Sequence, residues 1–281
     1  MRRHVAVRWA LLLVAVPFAL TVPASAAVGD GASVPGDAVA IVGEAPISND
    51  EFAHWMTVAA TSREVSIDAP ITGMVPVPPD FTECVAAATA ALPEKPPKGK
   101  TTPTAAQLKV RCRQEYEELR DQVLQFLISG RWILGEAASQ GIALTDQQVQ
   151  AEFIKQKKQS YPKEADFRKF LKRSGMTIDD LLLRVKVDTL SDRLRGKVTK
   201  GAAAPTRAQI KAYYVKHKKS RFRRKTLKQA TPQIARTLKQ QRQQRALDAF
   251  ITAFHEGWKA RTDCRVGYVI ELCAGAPAPT S

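Results

Sequence analysis

Aromatic side chains make up only 7% of the 281 residues. With helix formers dominating the rest, that scarcity argues against an all-β sandwich or barrel. Four cysteines are present, but no CxxC pair and no Cys/His cluster, so no zinc site can be read from them. Walker loops, GxGxxG turns and GxSxG elbows are all missing, and with them any legible nucleotide-binding or nucleophilic constellation. No period of 20–50 residues recurs, which excludes a solenoid or propeller. Beyond the N-terminus no apolar run approaches the roughly 20 residues that a bilayer-spanning helix needs. A last absence is local: from Arg195 to Arg245 there is no Asp or Glu at all.

What is present places the chain among globular proteins. It is 44% hydrophobic and 25% charged, enough to bury a core and too apolar for a disordered chain. The first 26 residues read as an export leader. Arg2, Arg3 and Arg8 precede an apolar run from Trp9 to Val22, then Pro23 and the small-residue site Ala24-Ser25-Ala26. Cleavage is expected before Ala27, and an uncleaved anchor is the alternative. No cysteine follows the apolar run, so lipid attachment at a new N-terminus is not supported. The expected location is outside the cytoplasm: periplasm, cell wall or extracellular space.

Formal net charge is +16. Removing the three leader arginines leaves +13. Residues Arg195–Arg245 alone carry 17 Lys/Arg, so the remainder of the mature chain sits near −4. One segment holds the whole excess, and Arg221, Arg223, Arg224 and Lys225 form its densest surface. Its plain reading is a solvated helical face. Its sharper reading is an attractive field for anionic partners: acidic unfolded segments, anionic lipid or wall polymer. Nucleic acid is disfavoured by export and by the limited interleaving of aromatics, which are Tyr213, Tyr214 and Phe222.

In an exported protein the four cysteines suggest two disulfides with three possible pairings. We expect Cys84–Cys112, flanking a Pro/Lys-rich stretch, and Cys264–Cys273. A straight strand would hold the second pair about 30 Å apart, beyond a bridge's reach. The chain must therefore fold back between them, with Gly267 as the pivot.

The pattern along the chain is mostly helical. A linker over 27–37 leads to a short strand at Ala38–Val42, which leaves through a turn at Gly43-Glu44-Ala45-Pro46. Ser48 and Glu51 form a capping box for a helix with Phe52, Trp55, Met56 and Ala59 on one face. Residues 63–103, rich in proline from Pro70 to Pro103, read as an exposed excursion. Thr104 caps a long helix to Gln140 whose second half, Val123–Leu134, is apolar on most sides; Gly130 would allow a close crossing or a bend. Helices then start at Thr145, Pro162, Thr177 and Thr206. Thr231-Pro232 is read as the start of a last helix to about residue 260. Val266–Leu272 is read as a strand, and 274–281 as a flexible tail. Strands near the two ends could pair and bring the termini together.

The residues Val39–Phe52, VAIVGEAPISNDEF, resemble the opening of SurA/PrsA-type exported foldase chaperones. The similarity continues through Leu127-Ile128, Glu136-Ala137, Gly141-Ile142 and Leu144-Thr145-Asp146. It runs on through Phe167, Phe170-Leu171, Gly175-Met176-Thr177 and Asp179-Asp180-Leu181 to Pro205-Thr206, Ile210, Tyr213-Tyr214 and Phe222. The resemblance implies a mainly α fold, a helical chaperone domain of the SurA N-terminal and trigger-factor C-terminal type with a short strand near each end, spanning 38–273. It also implies a groove for unfolded or nascent exported polypeptides, and no cofactor. In that family a parvulin-type isomerase module usually follows the tyrosine-bearing helix. Here Phe222 leads directly to Arg223-Arg224-Lys225 and the last helix, so prolyl isomerase activity becomes the alternative reading and a non-catalytic holdase the leading one.

Two groups of candidate residues follow. Phe153, Phe167, Phe170, Tyr213 and Tyr214 lie on short helices and would either line a client groove or pack as core, with core favoured. Glu51-x-x-His54 puts a carboxylate and an imidazole on one helix face, but the second pair that a di-metal bundle needs is not apparent. His217 and His255 are scattered, and no catalytic set is assigned.

Overall fold

The computed structural model describes residues 34–62, 73–94 and 101–276. The leader expected over 1–26, most of the linker and the end of the tail lie outside the described residues.

The chain opens with an antiparallel hairpin, β1 (Ala38–Val42) and β2 (Ala45–Ser48). It passes straight into α1 (Asn49–Ser62), where Ser48 Oγ accepts from the Glu51 backbone N–H at 3.0 Å. The second half of that box is diverted: the Glu51 carboxylate reaches Arg131 instead, at 2.7 Å. The sequence reading took Ala45-Pro46 as turn only. Pro46 fits a strand here because β2 lies at the sheet edge, where a missing N–H breaks no ladder bond.

After α1, the Pro-rich excursion contains a helix that its prolines obscured, α2 (Thr82–Ala90). Its sequence TECVAAATA is rich in alanine, the best helix former. Cys84 is bonded to Cys112, which pins α2 to the first half of α3 (Ala105–Ser139). Thr104 and Gln107 close a full capping box at the start of α3. With 35 residues that helix spans about 52 Å at 1.5 Å per residue.

Three helices follow: α4 (Asp146–Ser160), α5 (Glu164–Ser174) and α6 (Ile178–Lys200). Thr145 and Thr177 cap the first and third with reciprocal boxes. Then come α7 (Arg207–His217) and α8 (Leu227–Lys259).

The start of α8 corrects the sequence reading. Thr226 and Gln229, not Thr231-Pro232, form its cap, and Pro232 sits inside the helix. Interior proline loses one hydrogen bond and is unfavourable by about 3 kcal/mol. Burial of Ala230 and Ile234 against Tyr214 and Phe222 on the same turns opposes that penalty.

The C-terminal strand is also displaced. β3 is Thr262–Cys264 and pairs antiparallel with β1, giving the sheet order β2-β1-β3. Residues 266–272, expected as a strand, form turns. The reason is the Cys264–Cys273 bond, whose Cα atoms lie 5.8 Å apart. An extended run between them cannot meet that distance. Gly267 provides the reversal at φ +88°, a conformation L side chains rarely adopt.

The main core lies where both ends of the chain meet α3. Val39 and Ile47 of the sheet and Phe52, Trp55 and Met56 of α1 pack on Leu124, Leu127, Ile128 and Trp132. Trp258 and Leu272 close it from the C-terminal side. The one fully buried hydroxyl on β3 is satisfied twice: Thr262 Oγ1 accepts from the Trp132 indole and donates to the Trp258 carbonyl, both at 2.8 Å. The fold is thus a mainly α domain closed by a small sheet made from its two ends.

Candidate client-binding cleft

An all-apolar helix surface must be covered by several neighbours at once. For Val123–Leu134 those neighbours are the sheet, α1 and α6, and the covering is incomplete on one side. Phe126, Gly130 and Leu134 recur at four-residue spacing and lie on one face of α3. Leu183 and Val187 of α6 face them at the same spacing. Between the two rows is a shallow open cleft, about 220 Å³ when the open solvent at its mouth is included, lined by Phe126, Leu127, Gly130, Arg131, Leu134, Leu183 and Val187.

Gly130 is the cause of the gap. A Cβ at this position would stand 3.9 Å from Val187 Cγ2, in ordinary contact. Its absence leaves that space open rather than allowing a tight crossing. Except for buried Leu127, the lining residues are half-buried, so the apolar surface is reachable from solvent. The enclosed part of the cleft is only about 10 Å³, room for about one water molecule, so this is a shallow apolar seam on the surface and not a small-molecule cavity.

One charged residue lines the cleft and another lies beside it. Arg131 at its edge is paired with Glu51 across to α1. One helical turn to the side, Arg184 lies over the Trp55 and Phe126 rings, 5.5 and 5.2 Å from their centroids. Burial lowers the Arg184 pKa, while Asp188 and Asp180 oppose the shift. Guanidinium remains protonated in proteins all the same, so this is a fixed cation spread over two aromatic faces. Burial also raises the Asp188 carboxyl, against the pull of Arg184.

The residues singled out in the sequence distribute as follows. Phe153 and Phe167 are buried and Phe170 half-buried, packed with Tyr161 in a satellite core between α4, α5 and α6. Tyr214 is buried and Tyr213 half-buried in a different cluster between α7 and α8. These five side chains do not share a groove; one group joins α4, α5 and α6, the other α7 and α8. The basic residues Arg221, Arg223, Arg224 and Lys225 are all exposed. Glu51 and His54 part company. Glu51 bonds Arg131, while His54 Nε2 lies 2.9 Å from both carboxylate oxygens of Asp180, which also accepts from the backbone N–H of Thr177 at the α6 cap. His217 packs on the Tyr213 ring and His255 on Trp132. Among the described residues no three His, Cys, Asp or Glu are grouped to hold a metal.

Leu183 and Val187 are not among the residues that the sequence singles out. The signal was there in Leu181-Leu182-Leu183, an apolar triplet that covers more than one helix face.

Residues 102–195, from just before α3 to most of α6, match the family model of the SurA-like N-terminal domain, so about a third of the chain is similar to such a domain. No curated protein and no solved structure matches the chain. All seven residues lining the cleft lie within the matched stretch.

Proposed function

We propose that this chain, which carries a SurA-like N-terminal domain of the chaperone type, is a holdase that binds unfolded or nascent polypeptide through the α3–α6 cleft. The supporting observation is the position of the cleft: a solvent-reachable apolar seam lies wholly inside the chaperone-type domain. Apolar contact without fixed hydrogen-bonding partners suits clients of varied sequence, because burial is non-directional and scales with area. Burying one Leu or Phe side chain of a client would contribute about 1.5–3 kcal/mol. Several such contacts along the seam would be needed for a useful affinity, since 1 μM corresponds to about 8 kcal/mol.

The holdase acts without a catalytic module of its own in this proposal. Supporting this, α7 leads to α8 through the turn over 218–226, where the family pattern would place an isomerase unit. The protein works outside the cytoplasm after removal of residues 1–26, and the two disulfides fit an oxidising compartment.

The test is suppression of aggregation of a chemically reduced protein at one-to-one stoichiometry. Suppression together with no acceleration of cis/trans isomerisation on a proline peptide supports the reading. Absence of suppression and of peptide binding rejects it.

A further inference from the structure

The two-helix arm built by α7 and the first half of α8 has no part in the cleft. The body-side contacts of α8 begin near Gln243, whose side-chain amide donates to the Thr199 carbonyl, and continue through Phe250 on the Leu190/Leu194 cluster to Trp258. From Gln243 back to Thr226 is 17 residues of helix, about 25 Å. Over that length α8 packs on α7 around Tyr214, Phe222, Ala230 and Ile234. The tip of the arm is held in shape: the Tyr214 hydroxyl donates to the Lys225 carbonyl at 2.8 Å, and Thr226 caps α8.

That tip is a concentrated cationic end. Eight Lys/Arg lie between Lys216 and Lys228, and each is exposed. Among the described residues no carboxylate is within ion-pair distance of any Lys or Arg from Lys197 to Arg245. The tip thus carries +8 of the roughly +13 net charge of the chain without residues 1–26, unneutralised by any ion pair among the described residues.

We propose that the tip of the α7–α8 arm docks on a lipid surface bearing anionic headgroups. The shape favours this partner over a threaded polymer. A single strand is usually tracked along a basic groove with aromatic platforms, whereas this end is the turn of a hairpin, with Phe222 buried and the half-buried Tyr213 ring packed on His217 and hydrogen-bonded by Arg221. A flat layer of mobile anions needs no groove; it rearranges beneath a preorganised cluster of cations. Exposed Trp, Phe or Leu that would wedge into the acyl region is lacking at the tip, so contact stays at the headgroup level and remains salt-sensitive. The arm then sets the body, with its cleft, about 25 Å off the membrane. This inference does not rest on the holdase reading.

The experiment uses the full chain with leader removed and large vesicles of phosphatidylcholine, with and without phosphatidylglycerol, read by co-sedimentation. Binding is expected only with phosphatidylglycerol, and is expected to fall at least about tenfold as screening rises from low to several-fold higher salt. The variant Arg221→Gln/Arg223→Gln/Arg224→Gln/Lys225→Gln is expected to lose binding while keeping the parent's peptide affinity. Should its melting temperature drop, the pair Arg224→Gln/Lys228→Gln, whose side chains make no hydrogen bond, is expected to weaken vesicle binding without that drop. Equal binding to neutral and anionic vesicles overturns the inference. So does parental vesicle affinity in the neutralised variants, or tighter binding per charge to soluble inorganic polyphosphate than to the vesicles.

Discussion

Trp258, near the end of α8, donates its indole N–H to Glu136 of α3 at 2.9 Å while its ring lies directly over Gly135. This clasp joins the C-terminal end of the chain to the helix that begins the matched domain. It depends on the missing side chain: a Cβ at Gly135 would stand closer to three atoms of the indole ring than real Cβ contacts allow. The ring is buried and stacked under Arg261, whose guanidinium lies 3.9 Å from its centroid, so it has little room to yield. Gly135→Ala is expected to destabilise the fold by about 1–3 kcal/mol, although the same change in an open helix would stabilise by up to about 1. The midpoint of urea unfolding measures the sign.

Cys84–Cys112 closes a loop with a sequence separation of 28. Loop-closure entropy assigns such a crosslink about 3–4 kcal/mol. Cys84→Ser/Cys112→Ser is expected to lower stability by that order and to release α2 from Phe81 and Tyr116, its small satellite core. Faster proteolysis within residues 73–94, at unchanged cleavage elsewhere, is the local signature.

Asp188 gives a pH dependence with a definite sign. Burial raises its carboxyl above the ordinary aspartate value, Arg184 opposing and Asp192 assisting. A carboxyl that binds its proton more tightly when folded loses its stabilising share as pH rises from the unfolded value through the folded one. Relative to the parent, Asp188→Asn is therefore expected to gain stability as pH is raised from about 3 to 7. Thermal melts of both proteins across that range check it. A variant whose relative stability falls over the same range contradicts the assignment.

The helical architecture was legible because its signals are local. Thr104, Thr145, Thr177 and Thr206 each stand three residues before Gln or Asp, and each closes a capping box. The fifth box, Thr226 with Gln229, was overlooked in favour of Thr231-Pro232, because proline at a helix start is the stronger local cue and only tertiary burial of Ala230 and Ile234 reverses it. Residues 266–272 failed for a similar reason. Val, Ile and Tyr favour strand, but the nearby disulfide fixes a reversal that no propensity can express. The cleft was not legible: an apolar α3 reads as core, and Gly130 reads as a close crossing or a bend, neither of which marks an open side. Which neighbour would leave the gap depends on the α3–α6 crossing, a non-local fact. The aromatic residues on α4, α5 and α7 illustrate the converse, since a buried ring and a waiting groove have the same sequence signature.

Gly130→Leu tests the central claim most directly. The new Cβ would stand 3.9 Å from Val187 Cγ2, an ordinary contact, and loss of an interior helical glycine offsets by about 0.5–1 kcal/mol the roughly 1–3 kcal/mol that crowding beyond Cβ can cost. The branched end of the side chain covers the seam between α3 and α6. Binding of a fluorescent unfolded peptide, measured well below the melting temperature of the variant, is expected to weaken at least about tenfold, the loss of one buried apolar contact. Parental peptide affinity in that filled, fully folded variant would contradict the account.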